Sequence, residues 1–389
     1  MLLNYVLIFA IFILLLVFLI DLFIHFNTWQ SRIHIGRYDS ITIWEKEILT
    51  KSCHWLKKTP TIKLTDNTRF IILDILRGNF KRDAIQHWQE ASLLLGLYEN
   101  YKKTFDLQIK KNIDLFIKSK IANGNWVKTP TEIDGVILAY AILNVDWINH
   151  QENKPAYDAM WNLVQNLIGE DGTAQYRKSM KNYRYVDTIG FICPFLITYG
   201  KLFKNEVAID LGIKQITSFN QNGMFKDLFL PCHTYRIDSK MPVGLFGWGR
   251  GLGWYAIGLI DSWKELPNDH PEKVILTNSV IAFANTIMKF QNPNGSWNWI
   301  VSSPEAQADS STTATLAWFL ANVSSEKTIS ERSLESKNRA LQFLMTVTRR
   351  DGAIDFSQGD TKAIGVHSQT FDILPFTQGF ALRTACKSN

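Results

Sequence analysis

Ile117-Lys118-Ser119-Lys120-Ile121-Ala122-Asn123-Gly124-Asn125-Trp126-Val127-Lys128 carries the pattern that decides the fold. An apolar, helix-like run ends at an Asn-Gly pair, a short strand-like run follows, and a new helix-like run begins. The same sequence of events recurs at Asp171-Gly172, Asn222-Gly223, Asn294-Gly295 and Asp351-Gly352. Glycine suits the residue past a last helical turn, which usually takes a left-handed conformation. The glycines stand 48, 51, 72 and 57 residues apart, room for two helices and a loop each time. Such a recurrence predicts a helical-hairpin repeat.

Apolar spacing supports the helices. Ile85, Trp88, Ser92 and Leu95 lie on one helical face, as do Ile109, Ile113, Phe116 and Ile117. Val280, Phe283, Ile287 and Phe290 mark a later helix, and Leu341, Leu344 and Thr348 the one before Asp351-Gly352. Flanking each glycine pair with helices gives about eleven or twelve. Long β runs are not expected; 125–128, 173–176, 296–300 and 353–356 read as small hairpins at a rim. The predicted class is all-α, an (α/α)6 barrel of six hairpins, preceded by one N-terminal transmembrane helix. An open solenoid would want a more regular repeat.

The chain has 389 residues, 46% of them hydrophobic, ample for a large core. Its 13 Trp and 24 Phe suit a large core and a cleft with flat walls. The net charge is +6, but the basic residues are scattered among acids, so no nucleic-acid stripe is expected. Cys53, Cys193, Cys232 and Cys386 form no CxxC pair and no metal spacing, and read as buried free thiols. Leu2 to Ile24 is almost wholly apolar and long enough to span a bilayer. It lacks the basic start and small-residue cleavage site of a secretory signal. The expected domains are therefore an anchor over 1–27, a juxtamembrane connection over 28–80 and a catalytic domain over 81–389. No Lys or Arg precedes the apolar run, whereas Arg32 and Arg37 follow it. The positive-inside rule then expects the catalytic domain on the cytoplasmic side of a bacterial inner membrane.

If the repeats superpose, the residues entering the second helix of each lie at one mouth. Asp134, Asp187, the run Trp248 to Trp254, Asp309 and His367 occupy such places. Asp134 and Asp187 each stand just before an apolar helix, where Asp is a good N-cap. Tyr183, Tyr185 and Phe191 would crowd Asp187 with apolar surface, which raises a carboxyl pKa and suits a proton donor. In Leu245-Phe246-Gly247-Trp248-Gly249-Arg250-Gly251-Leu252-Gly253-Trp254, glycines would let backbone approach a ligand. Trp248 and Trp254 could stack on a sugar, and Arg250 could hold a carboxylate through two parallel bonds. His233 lies on the loop feeding that segment. Asp309 reads as a helix cap or a ligand contact, and His367 stands similarly.

The segment Phe246-Gly247-Trp248-Gly249-Arg250-Gly251-Leu252-Gly253-Trp254 resembles the WxRGxGW signature of the unsaturated glucuronyl and rhamnogalacturonyl hydrolases, glycoside hydrolase families 88 and 105. Tyr185-Val186-Asp187-Thr188 followed by Cys193-Pro194-Phe195-Leu196 is similar to their catalytic-Asp segment. Ile133-Asp134-Gly135 is similar to the segment of their second aspartate, and His233 falls where a loop histidine precedes the signature. The run from Gly365-Val366 to Pro375-Phe376-Thr377-Gln378-Gly379 is similar to the family's C-terminal end. The resemblance covers roughly Trp88 to Ala385. Leu252 departs from the family's usual Asn, which would remove a polar contact from the cleft.

The resemblance implies chemistry on a 4,5-unsaturated uronic acid at the non-reducing end of lyase-generated oligosaccharides. Asp187 would protonate the enol ether and activate the adding water. Asp134 would hold sugar hydroxyls or tune Asp187, and His233, Trp248, Arg250 and Trp254 would bind substrate. No metal or organic cofactor is needed. The other reading is a membrane-anchored glycan-binding or polysaccharide-biosynthesis accessory protein that kept the cleft and lost the reaction.

Overall fold

The computed structural model describes residues 1–60, 62–63, 71–76, 80–81, 86–361 and 363–387; Ile85 lies outside the described residues. Fourteen α-helices occur among the described residues. They are α1 (Leu2–Arg32), α2 (Ile41–Lys57), α3 (Ile71–Leu76), α4 (His87–Thr104), α5 (Leu107–Lys120), α6 (Gly135–Leu143), α7 (Lys154–Gln165), α8 (Val186–Phe203), α9 (Glu206–Asn222), α10 (Gly249–Glu265), α11 (Lys273–Lys289), α12 (Ser310–Val323), α13 (Ser330–Thr346) and α14 (Pro375–Cys386).

Two concentric rings account for twelve of them. Helices α4, α6, α8, α10, α12 and α14 each pack on the next, and α14 returns to α4. Outside them lie α2, α5, α7, α9, α11 and α13. The inner helices are covered on every side: every residue of α6 and of α12 is buried, including Ser311, Thr313 and Thr315 of α12. The outer helices are one-sided. In α5 the buried residues are Ile109, Asn112, Ile113, Phe116 and Ile117, the helical face read from the sequence. The fold is the six-hairpin toroid.

One boundary moves. The segment 28–80 was expected to be a connection, yet α2 is the sixth outer helix. Its Trp44 and Ile48 are fully buried, Trp44 Nε1 donates to Thr348 Oγ1 at 2.8 Å, and Gln378 Nε2 donates to Ile48 O at 3.1 Å. The ring therefore begins at Ile41, and its first outer helix closes over its last hairpin. The repeat count missed α2 because no glycine pair follows it.

The glycine pairs do more than end helices. At Gly172, Gly295 and Gly352 the glycine N–H donates to the carbonyl three residues back, on Gly169, Asn292 and Arg349. The N–H of that same residue donates to the carbonyl just past the glycine, on Thr173, Ser296 and Ala353. The same tight loop thus turns the chain inward three times. Asn123 and Gly124 both have positive φ and form the tip of a two-residue hairpin between Ile121–Ala122 and Asn125–Trp126.

One sheet is larger than the sequence suggested. Tyr183–Tyr185, Met224–Phe225, Leu230–Arg236 and Pro242–Phe246 form four antiparallel strands at the mouth. Two of the strands are only two or three residues long, and Pro231, Pro242 and Gly244 interrupt the others, so the pattern carried little strand signal.

Closure of the inner ring rests on a near backbone-to-backbone contact. A Cβ on Gly96 of α4 would lie 2.4 Å from Gly379 O of α14, and one on Gly379 would lie 2.2 Å from Ser92 O. Ser92 Oγ bridges the same seam, near Pro375 O and Phe376 O at 3.1 Å each. At the other end of the ring Arg383 Nη1 pairs with the fully buried Asp261 at 2.7 Å, and Trp318 Nε1 donates to the second oxygen of that carboxylate at 2.9 Å. This ties α14, α10 and α12 together and pairs the two buried charges, which would be costly alone, although Arg383 Nε has no hydrogen-bond partner.

Of the two described helices long and apolar enough to cross a membrane, α8 is mostly buried in the ring, whereas no residue of α1 is buried. The last turn of α1 nevertheless holds the ring. Arg32 Nε lies 2.6 Å from Asp355 Oδ2, and Arg350 N donates to Ser31 O at 3.1 Å. A single added methyl at the ring seam tests the closure: Gly379→Ala is expected to destabilise the protein by about 1–3 kcal/mol or more, read as an earlier unfolding transition in heat or denaturant.

Candidate active site

The six inner helices start at the same mouth, and a pocket of about 150 Å³ lies over the starts of α4, α8 and α10. Its lining includes Gln86 and Trp88 at α4, Asp187 and Phe191 on α8, His233 on its strand, and Trp248, Arg250 and Trp254 at α10. Tyr176, Arg177, Tyr185 and Asp360 complete much of the wall.

Asp187 is the second residue of α8, positioned by the strand before it. Tyr185 pairs with Thr234 across the sheet, so the residues that follow Tyr185 and precede Thr234 come side by side. His233 Nε2 thereby stands 3.7 Å from Asp187 Oδ2, beyond hydrogen-bond length. Asp187 Oδ2 is buried with no hydrogen-bond partner. Loss of water around it pushes the carboxyl up to about 7, and neighbouring Asp360 adds to the effect while Arg250 opposes it. The carboxyl is thus half protonated near neutral pH.

His233 is 4% exposed and touches the rings of Trp248, Tyr185 and His367. Burial, with His367 beside it, drives its pKa down to about 3, so the ring is neutral and forms no ion pair with Asp187. Its Nδ1 has no partner, which leaves it open to a ligand.

Arg250 sits in the first turn of α10. Its Nη2 donates to Gln358 O and, at 2.7 Å, to Gly359 O. With Nη2 taken, the expected pair of parallel bonds to one carboxylate is not available. Nε and Nη1 have no hydrogen-bond partner, and Nη1 lies 3.8 Å from Asp360 Oδ1. Arg250 therefore offers single charge-assisted bonds. Asp360 has its pKa raised by loss of water, against the pull of Arg250; its side chain keeps 41% exposure, which moderates that rise.

Trp248 and Trp254 line the pocket but are each only 2% exposed. They shape the bottom of the pocket instead of forming an open platform. Trp254 packs on Phe191, Phe376 and Trp88, and Trp248 Nε1 donates to Gln358 Oε1 at 3.1 Å. The glycines around them serve helix packing. A Cβ on Gly249 would lie 2.1 Å from Thr312 Oγ1, and one on Gly253 2.5 Å from Thr315 Oγ1, so α10 approaches α12 there and no ligand is involved. Leu252 is 1% exposed in the core and does not line the pocket, so the departure from Asn removes no contact from this cleft.

Asp134 lies outside the pocket lining. It precedes α6 without capping it; its Oδ2 accepts from His87 N of α4 at 2.9 Å. Burial raises its pKa, opposed by His87. Asp134 thereby fixes the start of the neighbouring helix that presents Gln86 and Trp88. Asp309 is fully buried and caps α12 through Ser311 N at 3.0 Å and Thr312 N at 3.2 Å. It also accepts from Gln358 N at 3.0 Å, which makes it structural. His367 touches His233, Trp248 and Trp299 from a neighbouring cavity.

Sequence reading missed Trp88, Tyr176, Arg177, Gln358 and Asp360 as parts of this mouth. Gln358 is the hub of the far wall: held by Asp309, it accepts from both Arg250 and Trp248, and its Nε2 donates to Ser368 O at 2.9 Å. No local pattern marks a glutamine for that role, because its partners lie about fifty to a hundred residues away in sequence.

The fold has close counterparts among solved structures. A protein of Salmonella enterica serovar Paratyphi A described as a possible member of glycoside hydrolase family 105 superposes with a TM-score of 0.73 at 17% identity, over 88% of this chain and 93% of that one. An unsaturated glucuronyl hydrolase specific for heparin gives 0.65 at 14% identity, over 88% and 96%. The unsaturated glucuronyl hydrolase of Bacillus sp. GL1, responsible for glycosaminoglycan degradation, gives 0.64 at 15% identity, over 87% and 94%. At the level of sequence, residues 63–386 match Glycosyl Hydrolase Family 88, and the chain belongs to that family.

Proposed function

We propose that this glycoside hydrolase removes a 4,5-unsaturated uronic acid from the non-reducing end of lyase-generated oligosaccharides by hydrating its enol ether. One observation carries the reading: Asp187, whose buried Oδ2 has no hydrogen-bond partner and whose carboxyl is pushed up to about 7 by loss of water, faces a pocket that also holds a neutral histidine and a partly unpartnered arginine. A carboxyl in that state is a proton donor.

In this mechanism the Asp187 carboxyl gives its proton to C4 as the double-bond electrons form the new C–H bond. The positive charge left at C5 is shared with the ring oxygen. Water adds at C5 and returns a proton to the Asp187 carboxylate, restoring the acid. The resulting hemiketal opens and releases the neighbouring sugar. Nothing is displaced at the anomeric carbon, so the carboxyl-separation rule for retaining and inverting glycosidases does not apply. Arg250 Nη1 would hold the uronate by a single charge-assisted bond, His233 Nδ1 would take a sugar hydroxyl, and Trp248 and Trp254 would close the pocket floor. Asp134 would act through α4, keeping Trp88 in place.

The apolar helix α1 would be a retained membrane anchor. Arg32, which the positive-inside rule counts, also has a structural partner in Asp355. Its charge thus has a reason other than orientation, and the cytoplasmic placement rests on less than the sequence suggested.

The deciding assay follows the ultraviolet absorbance of the conjugated enol-carboxylate in a panel of unsaturated disaccharides. Turnover of at least one is expected, and none after Asp187→Asn, with folding intact. Full activity in Asp187→Asn, or turnover of saturated glycans alone, would overturn the assignment. kcat/KM should hold at acidic pH and fall about tenfold per unit above about 7, as the donor loses its proton. The same shift acts on stability. A carboxyl raised in the folded state loses stabilisation as pH climbs from its unfolded value through about 7. Asp187→Asn should therefore melt later than the parent protein at alkaline pH and not at acidic pH. Gln358→Ala should lower kcat/KM by up to about 100-fold through misplaced Arg250 and Trp248, and should move the alkaline limb of the pH profile upward, because Arg250 no longer holds the Asp187 carboxyl down.

A further inference from the structure

The attachment of α1 lies at the active-site mouth. Arg32, in its last turn, pairs with Asp355, which is fully buried and also takes Arg349 Nε at 2.6 Å. Gly36 N donates to Thr348 O at 3.0 Å, and Arg350 N to Ser31 O. Residues 348–360 run across the N-termini of α12 and α14, supply Asp360 to the cleft and place Gln358 behind it against Arg250 and Trp248. The helix thus ends on the same rim that carries the site, away from the end tied by Asp261 and Arg383.

A second contact lies a long way back along the helix. Ile72 N, in α3, donates to Asp21 Oδ1 at 3.1 Å. Val17, Ile20, Asp21, Ile24 and Thr28 are the half-covered residues of this stretch, and their spacing puts them on one face of α1. Beside that face α3 leaves Leu73, Ile75 and Leu76 at 39%, 40% and 77% exposure. Three apolar side chains in water are unfavourable, whereas at the depth of Asp21 they meet the bilayer boundary.

Helical rise sets the distances. Leu2 to Ile24 spans about 35 Å, enough for a hydrocarbon core of about 30 Å. From His25 to Arg32 remain eight residues, or about 12 Å. The rim is held within about that distance of the lipid.

We propose that the ring docks on the phospholipid bilayer with its active-site mouth towards the membrane, oriented by the Arg32–Asp355 clamp and by insertion of α3, and so acts on glycan ends held at a membrane surface. This rests on the reading of α1 as a retained membrane helix and is independent of the hydrolytic reaction.

The test uses the full chain in phosphatidylcholine–phosphatidylglycerol vesicles that carry a headgroup-linked nitroxide quencher. A fluorophore is placed at Lys178→Cys, on the mouth, or at Lys327→Cys, in the loop after α12 at the opposite end; both positions are exposed. The unsubstituted protein gives the background from half-buried Cys53. The label at 178 is expected to be quenched several-fold more strongly than the label at 327. Arg32→Ala, which leaves Asp355 paired with Arg349, should shrink that difference while hydrolysis of a soluble disaccharide stays unchanged. Equal quenching at both positions, or stronger quenching at 327, overturns the orientation even if the enzyme is active. Loss of the chain from washed vesicles, or a mature N-terminus beyond Arg32, overturns the anchor on which it rests. Absence of turnover with unequal quenching overturns the hydrolase reading alone.

Discussion

A helix buried on all sides must satisfy every polar side chain it carries, as Ser92 and Thr315 are satisfied by backbone carbonyls, and has no room for an open polar group except at its ends; that constraint organises this protein. The six inner helices share their flanks with neighbours, so chemistry is pushed to the mouth where all six begin. First-turn residues face a common space there: Asp187 on α8 and Arg250 on α10. The same exclusion of water that makes the core stable raises the Asp187 carboxyl and keeps His233 neutral. Backbone N–H groups left free at helix starts add positive potential at the mouth, which favours an anionic ligand.

Satisfying those starts without filling the space falls to side chains from elsewhere. Asp309 caps its own helix and at the same time holds Gln358, and Gln358 anchors Arg250 and Trp248. Asp134 holds the first N–H of α4 from a neighbouring repeat. Each acidic residue at the mouth thus has a different duty, although all of them look alike as Asp before an apolar run. Only Asp187 is left with an oxygen that nothing in the protein satisfies.

This explains what the sequence could reveal. The repeat was legible because glycine pairs mark tight inward turns, and the outer helices because they are one-sided. Asp187, His233 and the Trp248 to Trp254 segment were legible from local crowding and from family resemblance. The place of α2 was not, since it closes on residues three hundred positions later and carries no turn signal of its own. Nor were Gln358 and Asp360, whose roles depend on partners in other repeats. The glycines of the Trp248 to Trp254 segment were visible but misread: a close approach of two helices and a close approach of a ligand demand the same residue. The short strands beside the mouth escaped because a strand of a few residues, broken by Pro or Gly, has too little periodicity to register.

The seam between Gly96 and Gly379 has a consequence for how the molecule is made. The first inner helix waits for the last, and the outer helix α2 waits for the hairpin that holds Thr348. A chain emerging from the ribosome therefore cannot finish its ring, or seat Gln358 beneath Arg250, until almost all of it has been synthesised. Throughout that interval α4 and α12 each lack the neighbour that α14 becomes, and the flanks they will share with it stay uncovered. The ring, and with it the candidate site, is thus completed only when α14 takes its place against α4.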